Sequence, residues 1–240
     1  MAIAFDNVSS VQGTSVSSVT IPAFLVGGSD RLIFVGVSSS SATPALTTSV
    51  VRNSTPNETF TEKWDVTAQT TLHNSGHYFI NPVAGSFSIT VTVAAVQDFL
   101  AAGAISLTGV DQTTGVGTHG TANGNSGTAS VTVAAAADEW LADVVITDIT
   151  AITVGADQTS RWEQDAGFPA SGGSTQLGSA NDVMSWTFAA DIWAIGAVPV
   201  LPAAAAFDAA LTAAIQYPTQ GPTITRYRMV PYGETGHHDA

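Results

Sequence analysis

Apolar residues alternate with small hydroxyl residues in several short stretches, and this pattern predicts β-strands. In the clearest stretch, Ser86–Val93, the residues Phe87, Ile89, Val91 and Val93 share one face. A period of two is typical of a strand with one buried face. Further strands are predicted at Ile3–Val8, Val16–Ile21, Arg31–Val37, Ala45–Arg52, His77–Ile80, Ala102–Val110, Ser130–Val133, Trp140–Thr147, Thr159–Glu163, Asp182–Ala190 and Ile192–Val198.

Turn-forming segments separate these strands and decide the fold class. They are rich in Gly, Asn, Pro and Ser and lie at 27–30, 81–82, 111–127 and 170–174. The strands recur about every 10 to 15 residues with no long amphipathic helix between them. We therefore expect an all-β fold, an antiparallel β-sandwich of jelly-roll or Greek-key type. No repeat with a period of roughly 20 to 50 residues is found, so a solenoid or propeller is not expected.

The pattern changes after Pro202. An alanine-rich stretch fits either a short helix or one more strand, and a proline-containing segment without a core pattern follows it. We expect a β-sandwich domain over 1–202 and a C-terminal extension or arm over 203–240, which either docks on a neighbouring subunit or is a disordered tail. Its Arg and aromatic content is favoured at interfaces. The candidate interface residues are Arg226, Tyr227, Arg228, Met229 and Tyr232.

Charge and composition narrow the range of partners. The chain has 240 residues, with 6 Lys and Arg against 19 Asp and Glu and a net charge of -13. Six cations are too few to form the basic surface that nucleic acids or anionic membranes require. Neither is therefore an expected partner. No apolar run of about 18 residues and no basic, apolar leader is present, so neither a membrane span nor a secretory signal is expected. The absence of Cys excludes disulfides and thiolate chemistry.

Several kinds of enzyme lack their required residues. The Gly-x-Ser-x-Gly motif is absent, and Lys63 is the only lysine and follows no Gly-rich loop. Carboxylate pairs could serve glycoside hydrolysis, but we expect them to be solvated strand ends and loops. We therefore predict that the protein is not an enzyme. The carboxylates considered are Asp138 with Glu139, Asp143 with Asp148, and Glu163 with Asp165.

Two segments were considered as metal sites. His73 and His77 are spaced for one face of a helix, but in an extended segment they would be about 13 Å apart, too far for one ion. We expect them to be loop or edge residues. The segment Asp111–Gly127 offers oxygen ligands for calcium but lacks spaced carboxylates. No metal and no cofactor is therefore predicted.

Five tryptophans could contribute to a core or stack on sugars. Trp186 and Trp193 lie in apolar alternation and are expected in the core. Trp64 and Trp162 lie among charged residues. These two are the candidate glycan contacts.

Four strings of residues resemble a known group of domains. They are Ile3–Asp6, Ser29–Val37, Ala104–Thr114 and Ala194–Pro199. Together they resemble a β-sandwich domain of uncharacterised bacterial surface proteins and of virion structural proteins of tailed bacteriophages. The resemblance covers roughly residues 3–202 and implies a structural or adhesive role without an active site.

The expected lack of an export signal favours the bacteriophage branch of this resemblance. The expected protein is a non-enzymatic virion structural protein, most consistent with a head decoration (cement) protein, located in the virion and assembled in the host cytoplasm. Expected partners are the major capsid protein or other virion subunits, and further copies of itself in a homo-oligomer, by analogy a trimer. The alternative is a carbohydrate-binding or adhesin module, with Trp64 or Trp162 exposed in a groove. A glycan-degrading enzyme is a third possibility.

Overall fold

The computed structural model describes residues 2–165, 167–179 and 182–204. These residues belong to one compact unit, Met1–Ala205. They form fifteen β-strands in antiparallel sheets, and no helix occurs among them. A helix able to span a membrane is accordingly absent from this part of the chain. The all-β sandwich prediction is confirmed, and the finer jelly-roll or Greek-key assignment stays a prediction.

The strands form three sheets. The first central sheet has the order β1-β9-β3-β7-β6, and the second has the order β10-β15-β11-β14-β13, with β12 also paired to β15. The outer sheet has the order β2-β8-β4-β5. The strands are β1 (Ala4–Gly13), β2 (Val16–Val26), β3 (Leu32–Ser40), β4 (Thr47–Arg52), β5 (Glu58–Thr59), β6 (Thr61–Ala68), β7 (Leu72–Ile80), β8 (Gly85–Gln97), β9 (Phe99–Thr108), β10 (Gly120–Val133), β11 (Trp140–Thr147), β12 (Thr153–Val154), β13 (Thr159–Asp165), β14 (Ala170–Leu177) and β15 (Asp182–Val200).

The described residues contain three hydrophobic cores, two between sheets and one on the far face of a sheet. One, containing Ile21 and Val35, joins the outer sheet to the first central sheet. The second, containing Leu72 and Val144, lies between the two central sheets. The third includes Trp186 and covers the far face of the second central sheet with apolar residues of β10, β12 and β15. Both central sheets are thus buried on both faces over much of their area.

A row of side-by-side residues crosses each central sheet and combines glycines with one tryptophan on the edge strand. The strand registers place Ser10, Gly103, Gly36, Gly76 and Trp64 side by side in the first central sheet. They place Thr121, Gly196, Val144, Gly173 and Trp162 side by side in the second. Glycine within a strand often marks the close approach of another group. Here that group is an indole ring.

Each edge-strand tryptophan lies on glycines of both central sheets. A Cβ atom at Gly76 or Gly196 would overlap the ring of Trp64. Trp162 has the same relation to Gly173 of its own sheet and Gly103 of the opposite one. The contacts are therefore reciprocal, and each indole fills the space that missing side chains leave between the sheets. We call these contacts the indole–glycine contacts.

Two halves of the described chain, each containing one central sheet, share the same strand arrangement and contact each other reciprocally, and we call this correspondence the quasi-symmetry of the halves. The strand orders correspond one to one, from β1 and β10 at one edge to β6 and β13 at the other. Both β6 and β13 have a bulge immediately before their tryptophan. Gly36 and Val144 occupy equivalent positions and face each other, since a Cβ at Gly36 would overlap the Val144 side chain.

The sequence shows weak traces of the same relation. Thr61–Asp65 reads Thr-Glu-Lys-Trp-Asp, and Thr159–Glu163 reads Thr-Ser-Arg-Trp-Glu. Ala101–Leu107 and Ala194–Val200 share Ala-x-Gly-Ala around their glycine. Because the loops of the halves differ in length, no fixed period relates them. A search for repeats at a fixed period therefore does not detect this correspondence.

Several boundaries differ from the predictions. Ala170–Ser174, predicted as a turn, is the buried first part of β14, because Gly172 and Gly173 leave room for the rings of Trp186 and Trp162. β6 was not predicted at all. The two strands predicted at 182–190 and 192–198 are the single strand β15. By contrast, β11 has the predicted bounds.

Alanine at Gly103 or Gly196 should destabilise the fold. Each substitution adds a methyl group where an indole already lies, and such overpacking costs about 1–3 kcal/mol of unfolding free energy. Gly27→Ala is the matched control, because nothing lies within 4 Å of its added Cβ. Guanidinium unfolding of the full chain measures all three. Unfolding midpoints equal to that of the control would contradict the packing described.

Candidate functional site

A groove crosses the end of the second central sheet where β11 begins and β14 ends. It consists of two recesses of about 510 and 240 Å³ that share Trp140 and Leu177. We call it the Trp140 groove. The first recess is also lined by Ala2, Ile3, Asp138, Pro202, Ala203 and Ala204. The second is also lined by Asp157, Thr159, Arg161, Thr175 and Gln176.

Arg161 lines the second recess of this groove and contacts two aromatic rings and one hydroxyl group. Its guanidinium carbon lies 4.1 Å from the ring centroid of Phe5 and 5.8 Å from that of Trp140. Its Nε donates a hydrogen bond of 2.7 Å to Oγ1 of Thr175. Partial burial lowers the pKa of Arg161. No carboxylate within the described residues forms an ion pair with it, although the chain is strongly acidic.

The exposure expected of the candidate glycan contacts is wrong. Trp64 is 3% exposed and Trp162 is 7% exposed, because the indole–glycine contacts draw both rings between the central sheets. A buried ring offers no face to a sugar. Trp186 and Trp193 are buried as predicted. The half-buried Trp140 is the tryptophan that lines a groove.

Sequence reasoning did not single out Trp140. It stands at the start of β11, directly after Asp138 and Glu139. An aromatic residue at a strand end beside charged residues was the available signal, the same one that wrongly favoured Trp64. The burial of Trp64 depends on Gly76 of the neighbouring strand and Gly196 of the opposite sheet, and the local sequence around each tryptophan does not contain that information.

Asp143 is not a solvated strand end, contrary to the prediction. It lies in β11 and is buried. Oδ1 accepts hydrogen bonds from the backbone N–H and the hydroxyl of Ser174, and Oδ2 accepts from Nε1 of Trp186 and Nε2 of Gln158. Burial raises the pKa of Asp143 to about 7 despite these four donors. The carboxylate fastens β14, β11 and β15 together.

The other candidate carboxylates are exposed or half-buried. Asp148 is half-buried, and burial, followed by the charge of Asp191, raises its pKa. The exposed Glu163 accepts a hydrogen bond from the Ser160 hydroxyl. Asp138 and Asp165 are exposed, and Glu139 accepts a hydrogen bond from the backbone of the β10–β11 turn.

His73 and His77 lie in β7, an interior strand, and not in a loop or at an edge. Nε2 of His73 is 2.9 Å from Oδ2 of Asp65, and Nε2 of His77 is 3.0 Å from the hydroxyl of Ser75. Burial, with a smaller effect of His73, lowers the pKa of His77 to about 4. No group of three or more His, Asp or Glu side chains among the described residues is placed to bind a metal ion.

The oxygen-rich loop is shorter than predicted, because Gly120–Val133 is β10. Oδ1 of Asp111 accepts hydrogen bonds from the backbone of Thr113 and Thr114, and these bonds lower its pKa. The carboxylate therefore stabilises a turn. The predicted interface residues of the C-terminal arm lie outside the described residues. They are Arg226, Tyr227, Arg228, Met229 and Tyr232.

Asp143→Asn should change how stability depends on pH. Between about pH 4 and 7 the folded protein holds a proton on Asp143 that the unfolded chain has lost, so this residue's stabilisation falls as pH rises. The wild-type advantage over the variant should shrink by about 1.4 kcal/mol per pH unit in that window and then level off. Urea unfolding from pH 4 to 8 measures it, with the exposed Asp98→Asn as control. A pH-independent difference would contradict the assignment.

His77→Gln should produce the opposite slope. In the wild type the unfolded chain binds a proton at His77 between about pH 6.5 and 4, whereas the folded chain does not. Its contribution is therefore present above pH 6.5 and lost as pH falls to about 4, so the wild type should lose stability relative to the variant on acidification. The same urea series tests this prediction, and parallel curves for both proteins would refute it.

Comparison with known proteins identifies no relative of this chain. No family model, no curated protein and no solved structure matches it. Its function is therefore inferred from its own residues and their arrangement.

Proposed function

We propose that this chain is a non-enzymatic structural protein of a virion, a decoration protein on the head of a tailed bacteriophage. In this role it stabilises the capsid shell by contacts with the major capsid protein or other virion subunits. The particle is assembled in the host cytoplasm, and the chain acts as a homo-oligomer, by analogy a trimer. The resemblance of its strand and turn strings to virion proteins supports this proposal.

The observation that carries the proposal is an exposed apolar patch at one end of the outer sheet. Leu46 is 54% exposed and Val96 is 62% exposed. They belong to adjacent segments, since the backbone N–H of Ala94 donates a 3.1 Å hydrogen bond to the carbonyl of Leu46. Ala94 and Ala95 are exposed beside them, and none of the four residues is charged. A contiguous apolar patch of this kind is typical of a contact surface.

The packing of the fold suits a structural subunit. Two hydrophobic cores and two reciprocal indole–glycine contacts join the sheets within the described residues, and a third core covers the far face of the second central sheet. The acidic surface favours solubility and weak binding to nucleic acid before assembly. Together these properties fit a protein that adds to a finished shell from solution.

Cryo-electron microscopy of particles from the native source tests the proposal directly. We expect this chain at regular, symmetry-related positions on the shell, with the patch around Leu46 and Val96 in contact with a neighbour. A chain absent from every particle would sink the proposal.

The double variant Leu46→Asp/Val96→Asp tests the patch in solution. Two added carboxylates in an apolar contact cannot be desolvated cheaply, so we expect the oligomer to dissociate toward the 24.5 kDa monomer. Leu25→Asp is the matched control, since Leu25 is 59% exposed and lies in β2 outside the patch. Light scattering coupled to size-exclusion chromatography gives the masses. A monomeric wild type, or a double variant that stays assembled, would count against the proposal.

The second candidate function is a carbohydrate-binding or adhesin module of a tail fibre or surface protein. The observation that favours it is the Trp140 groove, which combines an accessible indole with polar side chains. The two candidates are compatible, because a shell or fibre subunit can also bind a glycan.

A further inference from the structure

We infer that the Trp140 groove is a saccharide site that binds a neutral, hydroxyl-rich pyranose against the indole of Trp140. The inference goes beyond the virion proposal and holds whether or not the chain is a shell subunit. It begins with a comparison of the two quasi-equivalent halves.

The equivalent position in the first half is closed. There β3 begins at Leu32, which pairs with Ile80 at the end of β7, just as Trp140 pairs with Leu177. The chain segment at Gly115 crosses this end so closely that a Cβ at Gly115 would overlap the side chain of Ile80. Leu32 is fully buried as a result. In the first half, therefore, the end of the sheet is covered, and the residues at this end are the aliphatic Leu32 and Ile80.

The second half departs from that plan at each corresponding residue. Trp140 takes the place of Leu32, and the indole remains half-buried beside the exposed Leu177. Arg161 takes the place of Lys63 at the strand bulge. Arg, unlike Lys, stacks flat on aromatic rings and keeps several donors in a fixed plane. The differences between the halves thus concentrate in one open groove.

The groove provides the chemistry that a sugar ring requires. The indole is an apolar platform for the C–H face of a pyranose. The Nη atoms of Arg161 form no hydrogen bond within the described residues, and the side chain is fixed by Phe5 and Thr175. The second recess is lined by donors on Arg161 and Gln176 together with the carboxylate of Asp157, and the first recess is lined by the carboxylate of Asp138. Hydroxyl groups can donate to and accept from such a set.

The charges and dimensions select the class of ligand. Recesses of about 510 and 240 Å³ fall within the size range of small-ligand sites. Arg161 would attract a carboxylate or sulfate on the sugar, but the recesses contain two carboxylates, Asp138 and Asp157, against this one cation, and the net charge of -13 adds to their repulsion. A neutral oligosaccharide meets neither penalty. It can also extend from one recess to the other across Trp140.

A glycan array probed with the full chain tests the inference first. The array carries neutral gluco-, galacto- and manno-oligosaccharides beside uronate- and sialate-terminated ones. We expect binding to at least one neutral series, and a loss of affinity of about tenfold or more in Trp140→Ala. Arg161→Lys should weaken binding severalfold while keeping the charge. Phe168→Ala is the aromatic control, since Phe168 is exposed in the β13–β14 turn, at the opposite end of β14.

Tryptophan fluorescence then locates the bound sugar. Trp140 is the one indole of the five that is not buried, so acrylamide quenching reports mainly on this residue. The neutral oligosaccharide with the strongest array signal should protect Trp140 from the quencher with a concentration dependence that matches its affinity. Thermal unfolding of Trp140→Ala near the wild-type midpoint shows that the variant is folded.

Four outcomes would overturn the inference. They are no binding to any printed glycan, binding to uronate- or sialate-terminated glycans alone, undiminished binding by folded Trp140→Ala, and loss of binding in Phe168→Ala but not in Trp140→Ala. Because none of these measurements involves a particle, their failure is distinguishable from failure of the virion proposal.

Discussion

The close approach of two indole rings to glycine backbones determines how the two central sheets pack. Trp64 and Trp162 each lie on a glycine of their own sheet and a glycine of the opposite one. Side chains at those four glycines would push the sheets apart or expel the rings. These contacts connect the edge strands β6 and β13 to the opposite sheet and contribute both rings to the core between the sheets. A few residues without side chains therefore have more influence on the architecture than most apolar ones.

Comparison of the two quasi-symmetric halves shows what is particular to the candidate site. Two equivalent sheet ends exist, and the chain closes one of them with its own segment at Gly115. The other end keeps Trp140 accessible and places a stacked Arg161 beside it. Because both ends are built on one strand plan, the groove represents a specific departure from that plan. The buried Asp143 instead joins β11, β14 and β15 through its hydrogen bonds and does not line the groove.

The sequence predicted most strands and little of the site, for a physical reason. Alternation over Ser86–Val93 reports one buried face, which is a local property, and β8 followed it. The Gly172–Gly173 segment has turn composition, yet it is a strand because two indoles from elsewhere need its space. The burial of Trp64 and of Asp143 depends on partners in other strands. Each of these predictions was wrong because the outcome depends on contacts between distant strands, and the periodicity of the sequence does not encode such contacts.

The two halves of the chain contact each other through similar surfaces, so during folding each half can pair with its own partner or with the same half of another molecule. The first half presents Gly103 to Trp162 and the second presents Gly196 to Trp64. Neither surface distinguishes its own chain from a second chain synthesised nearby, so halves from different molecules can exchange. The connection between β9 and β10, residues 109–119, limits this exchange because it is long enough for the two halves of one chain to meet and keeps the correct partner at high effective concentration. Shortening that connection until the two halves of one chain can no longer meet would shift the balance toward intertwined dimers.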